Sequence, residues 1–176
     1  MLSIDLINNM NPLLDKYLCD KYPKIFADRY KPMTETCMCH GFSCKNGWFY
    51  LINSVCKNIQ HNIDQHNKCV DDGYEWALKK GKIPQVVFDQ VKEKFSGLRI
   101  YYHGGDEKIQ GMVDAIEEIS YSVCEVCGRM DHEVGRNCKG WTQTTCKNHA
   151  PSIEMDFKIN DDAELTKIWE EIKESP

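Results

Sequence analysis

Residues 122–150, SVCEVCGRMDHEVGRNCKGWTQTTCKNHA, constrain this chain more than any other stretch. Cys124 and Cys127 are separated by two residues, and after eighteen more Cys146 and His149 repeat that spacing. A two-residue gap lets two side chains of one tight turn reach the same ion, and zinc takes four such ligands in a tetrahedron. Gly128, directly after Cys127, permits the left-handed turn that wraps backbone amides around a thiolate sulfur. The C-x2-C-x18-C-x2-H pattern therefore predicts one zinc ion on Cys124, Cys127, Cys146 and His149, because a pair of buried free thiols would not explain the repeated spacing. Cys138 is a spare thiol that could replace His149 as fourth ligand, although it has no partner cysteine beside it.

Catalytic zinc usually keeps one coordination position open for water, whereas four protein ligands close the shell, so the site reads as a staple. A competing reading is chemical. Asp131-His132 followed by Asn137 faintly resembles an HNH nuclease, whose histidine activates water beside a metal-bound phosphate. That arrangement needs a hairpin and a helix carrying another histidine, and the eighteen intervening residues leave little room for both. Pro151 also discourages a helix from continuing past Ala150. His132 as an exposed loop residue is the plainer reading.

Ten cysteines in 176 residues raise the question of compartment. No apolar run approaches the roughly 20 residues of a membrane span, and MLSIDLINNMN lacks the basic start and apolar middle of a signal peptide. A reducing cytoplasm is expected, where cysteines serve as thiols and metal ligands. The net charge of −5 is concentrated in residues 152–176, where eight acids (Glu154, Asp156, Asp161, Asp162, Glu164, Glu170, Glu171, Glu174) face Lys158, Lys167 and Lys173. Such a tail disfavours non-specific nucleic-acid binding while leaving room for a local basic face.

Hydrophobic spacing predicts an α+β fold with a small antiparallel sheet, two main helices and a zinc knuckle. Residues 1–150 are expected to form a zinc-stapled core, and 151–176 an acidic strand-helix extension. A short amphipathic helix should carry Leu13, Leu14, Tyr17 and Leu18 and end before Pro23. A long helix over about 47–68 should bury Trp48, Ile52, Val55, Ile59 and Ile63. A charged loop, DDGYEWALKKGKIP, separates it from two strand-like runs, QVVFDQV and GLRIYYH. HGGDE forms a turn in which Asp106 caps a helix carrying Ile109, Met112, Val113, Ile116 and Ile119. In the tail, IEMDFKIN alternates like a strand, and Leu165, Ile168, Trp169 and Ile172 share one side of a helix.

Three further groups carry chemistry. Cys37, Cys39, His40 and Cys44 could hold a second metal, but C-x-C spacing is less usual for structural zinc, and buried thiols are the default. The glycines of HGGDEK could present amides to an anion, and a tight strand-to-helix turn explains them equally well. Lys79, Lys80, Lys82, Lys92, Lys94 and Arg99 concentrate positive charge, and Lys92, Lys94, Arg99, Tyr101 and His103 form a candidate anion or nucleotide site. The competing reading is a solvated charged face. Trp48 and Trp141, each following glycine, fit core packing.

KYPKIF, TCMCHGFSCKNGWFYLI, NIQHNID, QVKEKFSGLRIYYHGGDE and CEVCG…GWTQTTCKNHA occur here in the order found in a group of uncharacterised zinc-binding proteins of tailed bacteriophages and prophages. The resemblance spans about residues 17–150 and several separate motifs. It implies a phage origin, a host bacterial cytoplasm and zinc at Cys124, Cys127, Cys146 and His149. It supplies no mechanism. The expected function is non-catalytic: binding in service of host takeover or counter-defence, by inhibiting a host defence protein or sequestering a nucleotide signal. Alternatives are a nucleic-acid-binding accessory protein and the HNH-like nuclease.

Overall fold

The computed structural model describes residues 9–137, 142–150 and 157–159; Cys138, Trp141 and the helix expected in the acidic tail lie outside them. Helix α1, Pro12–Lys21, starts where the Asn11 side chain accepts the Leu13 N–H at 2.9 Å, with proline at the first helical position, where no N–H is needed. It stops at Tyr22, ahead of Pro23, as the spacing predicts.

Helix α2, Phe49–Asp71, is the central element. Ile52, Val55, Ile59 and Ile63 recur every three to four residues and are buried along one stripe, continued backwards by the fully buried Trp48. His66 extends that stripe, one ring nitrogen lying 2.7 Å from the Gly81 carbonyl oxygen. The stretch expected as a charged loop contains a short helix, α3, Glu75–Lys80. Tertiary packing makes it: Ala77 is buried, Trp76 meets the His66 ring edge-on, and the Asn67 amide brackets both the N–H and carbonyl of Ile83.

Strands β1, Val87–Lys94, and β2, Gly97–His103, pair antiparallel, with a bulge between Phe88 and Gln90. Helix α4, Glu107–Ser120, begins with Asp106 accepting the Ile109 N–H at 3.1 Å. It lies along the outer edge of β2, where Ser120 Oγ accepts from Leu98 N–H at 2.8 Å and Glu117 Oε1 from Ile100 N–H at 2.7 Å. Ser43 covers the other edge, donating to the Val91 carbonyl and accepting from Glu93 N–H. Neither hairpin edge is therefore a bare row of backbone groups that could recruit another strand.

A second, three-stranded antiparallel sheet has the order β4-β3-β5, from Val134–Asn137 (β3), Thr144–Cys146 (β4) and Phe157–Ile159 (β5). The class is α+β, with two small antiparallel sheets and α2 and α4 as the main helices. One large apolar core runs from Met10 to Val123 around α2. Among the described residues the knuckle lobe has only Cys124, Val134 and Cys146 in its own buried cluster, with Val126 against it.

Gly47 joins the two lobes. A Cβ built on it would sit 2.1 Å from the Cys124 carbonyl oxygen and 2.5 Å from that of Glu125, both backbone atoms that cannot swing aside. Gly111, exposed in the middle of α4, has open space around it. Gly47→Ala is expected to lower unfolding stability by about 1–3 kcal/mol through overpacking, and Gly111→Ala to raise it by about 0.5–1 kcal/mol through helix propensity. Denaturant titration checks both, and a Gly47→Ala protein as stable as the parent would overturn the lobe contact.

Candidate metal centre

Two turns present the four expected ligands. In the first, the Gly128 N–H closes on the Cys124 carbonyl at 2.8 Å with Gly128 at φ 78°, a left-handed conformation that glycine adopts without strain. The Cys124 N–H returns to the Arg129 carbonyl, completing the knuckle. In the second, a 3-10 turn over Lys147–His149 follows β4 and swings His149 back beside Cys146.

Cys127 and Cys146 sulfurs are 3.9 Å apart, His149 Nδ1 is 3.8 Å from Cys124 Sγ and 3.2 Å from Cys146 Sγ, and all four atoms lie within 4.8 Å of one another. Zinc bond lengths of about 2.3 Å to sulfur and 2.0 Å to nitrogen give tetrahedral edges of roughly 3.5–3.8 Å. The four groups are thus compatible with one zinc ion.

Burial pushes the Cys124 thiol up, but the backbone N–H groups of Cys127, Cys146 and Val126 directed at its sulfur outweigh that and hold it below the ordinary value. Cys127 is pushed up to about 11, by desolvation and then by the adjacent Cys124. Several thiolates cannot crowd together unaided, and a divalent cation is what such a set accommodates.

The knuckle backbone is tied to the core. Gly47 N–H donates to the Glu125 carbonyl at 2.7 Å, and the buried Trp48 Nε1–H donates to the Val123 carbonyl at 3.0 Å. Glu125 itself is buried, with one carboxylate oxygen accepting from Lys45 N–H at 3.1 Å. Burial raises its pKa against the opposing charge of Lys45.

His132 belongs to no ligating group among the described residues. Its neighbours Asp131 and Glu133 both pair with Arg129, which is a loop-stabilising arrangement.

Cys37, Cys39, His40 and Cys44 are not brought together. Cys44 is fully buried in the apolar core, and burial pushes its thiol far up, away from the thiolate form a metal needs. Cys39 donates to the Thr36 carbonyl, Cys37 is exposed, and exposed His40 faces a groove with Asp15 and Arg29. The stretch folds as a 3-10 turn over Met38–His40 preceded by Cys37, and at three residues per turn positions two apart point to different sides.

Lys92, Lys94, Arg99, Tyr101 and His103 share the outer face of the β1–β2 hairpin, where Lys92 pairs across from Arg99. Lys92 Nζ lies 5.1 Å from the Tyr101 ring centre and Lys94 Nζ 5.4 Å from that of Phe95. Arg99 is engaged otherwise, by Glu117 at 3.4 Å and the Tyr121 hydroxyl at 2.6 Å. His103 Nδ1 turns to Asp89 at 2.9 Å. The glycines of HGGDEK serve the turn: both have positive φ, and a side chain at Gly104 would strike the Gln85 carbonyl.

One constellation was invisible in the sequence. Asp28, Asp89 and His103 place a ligand atom each within 4.8 Å of the other two. Their positions, 28, 89 and 103, share no local motif, so only the folded chain assembles them. No helix among the described residues is long and apolar enough to cross a membrane. Compared with models of protein families, with curated proteins and with solved structures, the chain has no significant match.

Removal of metal by a strong chelator is expected to lower the midpoint of thermal unfolding by several degrees or more, because the knuckle lobe has little apolar core of its own. Cys146→Ser should reproduce that loss without chelator. Differential scanning calorimetry with and without chelator is the check, and superimposable traces would refute a folding role for metal.

Proposed function

We propose that this chain is a non-catalytic, phage-encoded binding protein that works in the host bacterial cytoplasm in host takeover or counter-defence. One structural zinc on Cys124, Cys127, Cys146 and His149 closes its own shell and fixes the knuckle, leaving recognition to the protein surface. The observation that carries this reading is the outer face of the β1–β2 hairpin, where Lys92 lies beside Tyr101 and Lys94 beside Phe95. Phe95 is 68% exposed and Tyr101 is 42% exposed, so rings and ammonium groups stand together in solvent.

Two anionic partners suit that face: a nucleotide signal, with phosphate on lysine and base on an aromatic ring, or an acidic patch of a host defence protein. A ligand held by few contacts benefits from a rigid platform, and both hairpin edges are covered. The same pairing favours a second reading, a nucleic-acid-binding accessory protein, in which successive bases stack on Tyr101 and Phe95. The HNH-like reading has less support, since His132 stands apart from the ligand cluster.

Native mass spectrometry of protein purified from bacterial cytoplasm without chelator tests these readings. One zinc per chain together with a nucleotide or a host protein, bound at least about tenfold more weakly by a Lys92→Ala/Tyr101→Ala double variant, is the expected result. Affinity for long single strands that falls steeply with salt would instead select the nucleic-acid reading. A partner whose binding is indifferent to both substitutions would remove the hairpin face from the account.

A further inference from the structure

We propose that Asp28, Asp89 and His103 form a second, open site for a first-row divalent transition metal, separate from the cysteine centre.

Three distant parts of the chain converge there. Asp28 comes from the loop after α1, Asp89 from the bulge in β1 and His103 from the end of β2. The loop is held along β1 by the Phe88 N–H donating to the Ile25 carbonyl at 2.9 Å, and Thr36 Oγ donates to the Asp89 carbonyl at 3.3 Å. Val87 pairs with His103, so alternation puts Asp89 on the His103 face of the hairpin; the bulge leaves Asp89 without a cross-strand partner, and its carboxylate meets the His103 ring instead.

The distances suit coordination. His103 Nδ1 and Asp89 Oδ1 are 2.9 Å apart. With metal bonds of about 2.1 Å, two ligands at right angles on one ion are roughly 3.0 Å apart. The Asp28 carboxylate completes a triangle with no side longer than 4.8 Å. Two carboxylates and one imidazole on one side of an ion leave its remaining positions open, as in a facial triad. His103 and Asp89 side chains are 60% and 40% exposed, so those positions face water, while Asp28 at 13% anchors the site from below.

Donor chemistry selects the ion class. An imidazole nitrogen disfavours calcium and magnesium, and the absence of sulfur from the set separates it from the thiolate centre, so manganese(II), iron(II) or cobalt(II) fit. Lys31 opposes the metal: its Nζ sits 2.9 Å from Asp28 Oδ1 and must move aside when a cation enters. That opposition makes the proposal separable from a plain pair of salt bridges, His103–Asp89 and Lys31–Asp28. Salt bridges alone give no reason for a cation to bind better once Lys31 is gone.

The experiment is an electron paramagnetic resonance titration of the full chain, with its cysteine centre zinc-loaded, against manganese(II), following loss of the free-ion signal. The expected result is one saturable manganese per chain, with binding at least about tenfold weaker in Asp89→Asn and in His103→Ala. Lys31→Ala should tighten it several-fold. All three positions are at the surface, and matching melting curves of the variants confirm that folding is intact. No saturable manganese, or saturable binding unchanged by Asp89→Asn and His103→Ala, overturns the proposal; the latter result would place the ion on other carboxylates such as those of the acidic tail.

Discussion

The seating of Gly47 and Trp48 against the backbone of Val123–Glu125 holds the rest of this molecule in register. Trp48 is fully buried at the head of the α2 stripe, and its ring N–H donates to the carbonyl of Val123, the core residue directly before the first cysteine of the knuckle. Gly47 lies so close to the Cys124 and Glu125 carbonyls that no side chain fits between them. The apolar core and the metal-ligand turn thus share one contact. The core supplies the hydrophobic free energy, and the ligands give a lobe with few apolar residues a defined shape.

From that contact the order spreads to the β1–β2 hairpin. Its two-residue turn uses Phe95 at φ 53° and Ser96 at φ 70°, left-handed conformations that cost a non-glycine residue of order 1 kcal/mol each. The knuckle side of the molecule offsets that cost. Arg136 of β3 donates to Ser96 Oγ and to the Phe95 carbonyl, and Thr144 of β4 donates to the Ser96 carbonyl at 2.8 Å. Loss of order around the cysteine ligands would therefore reach the hairpin tip, and with it the lysine–aromatic face proposed for recognition.

Charge placement follows a similar logic. Arg99, central in the basic run of sequence, is neutralised by Glu117, whose carboxylate also caps an edge N–H of β2. Burial raises the pKa of Glu117, and the Ile100 N–H and then Arg99 oppose that rise. One carboxylate thereby closes a sheet edge and removes a cation from the outer face. The lysines that remain there, Lys92 and Lys94, each lie over an aromatic ring.

Patterns with a short period were legible from the residues alone. The α2 stripe, the Asp106 cap, the two strands of the hairpin and the paired turns Cys124–Cys127 and Cys146–His149 all depend on spacing within a few residues, which local geometry converts directly into a shared face or a shared cluster of ligand atoms. What needed the tertiary structure were relations between distant positions. The helix Glu75–Lys80 forms because α2 offers it His66 and Asn67. Cys44 is withdrawn into the core and cannot join Cys37, Cys39 and His40. His103 leaves the lysines for Asp89 and Asp28. The sequence by itself determined the class of fold and which four Cys and His side chains gather at the knuckle, because both follow from periodicity and tight-turn geometry. The tertiary structure alone decided which charges are neutralised and which carboxylates meet, because those depend on a bulge, a turn and a loop whose positions are set by long-range packing.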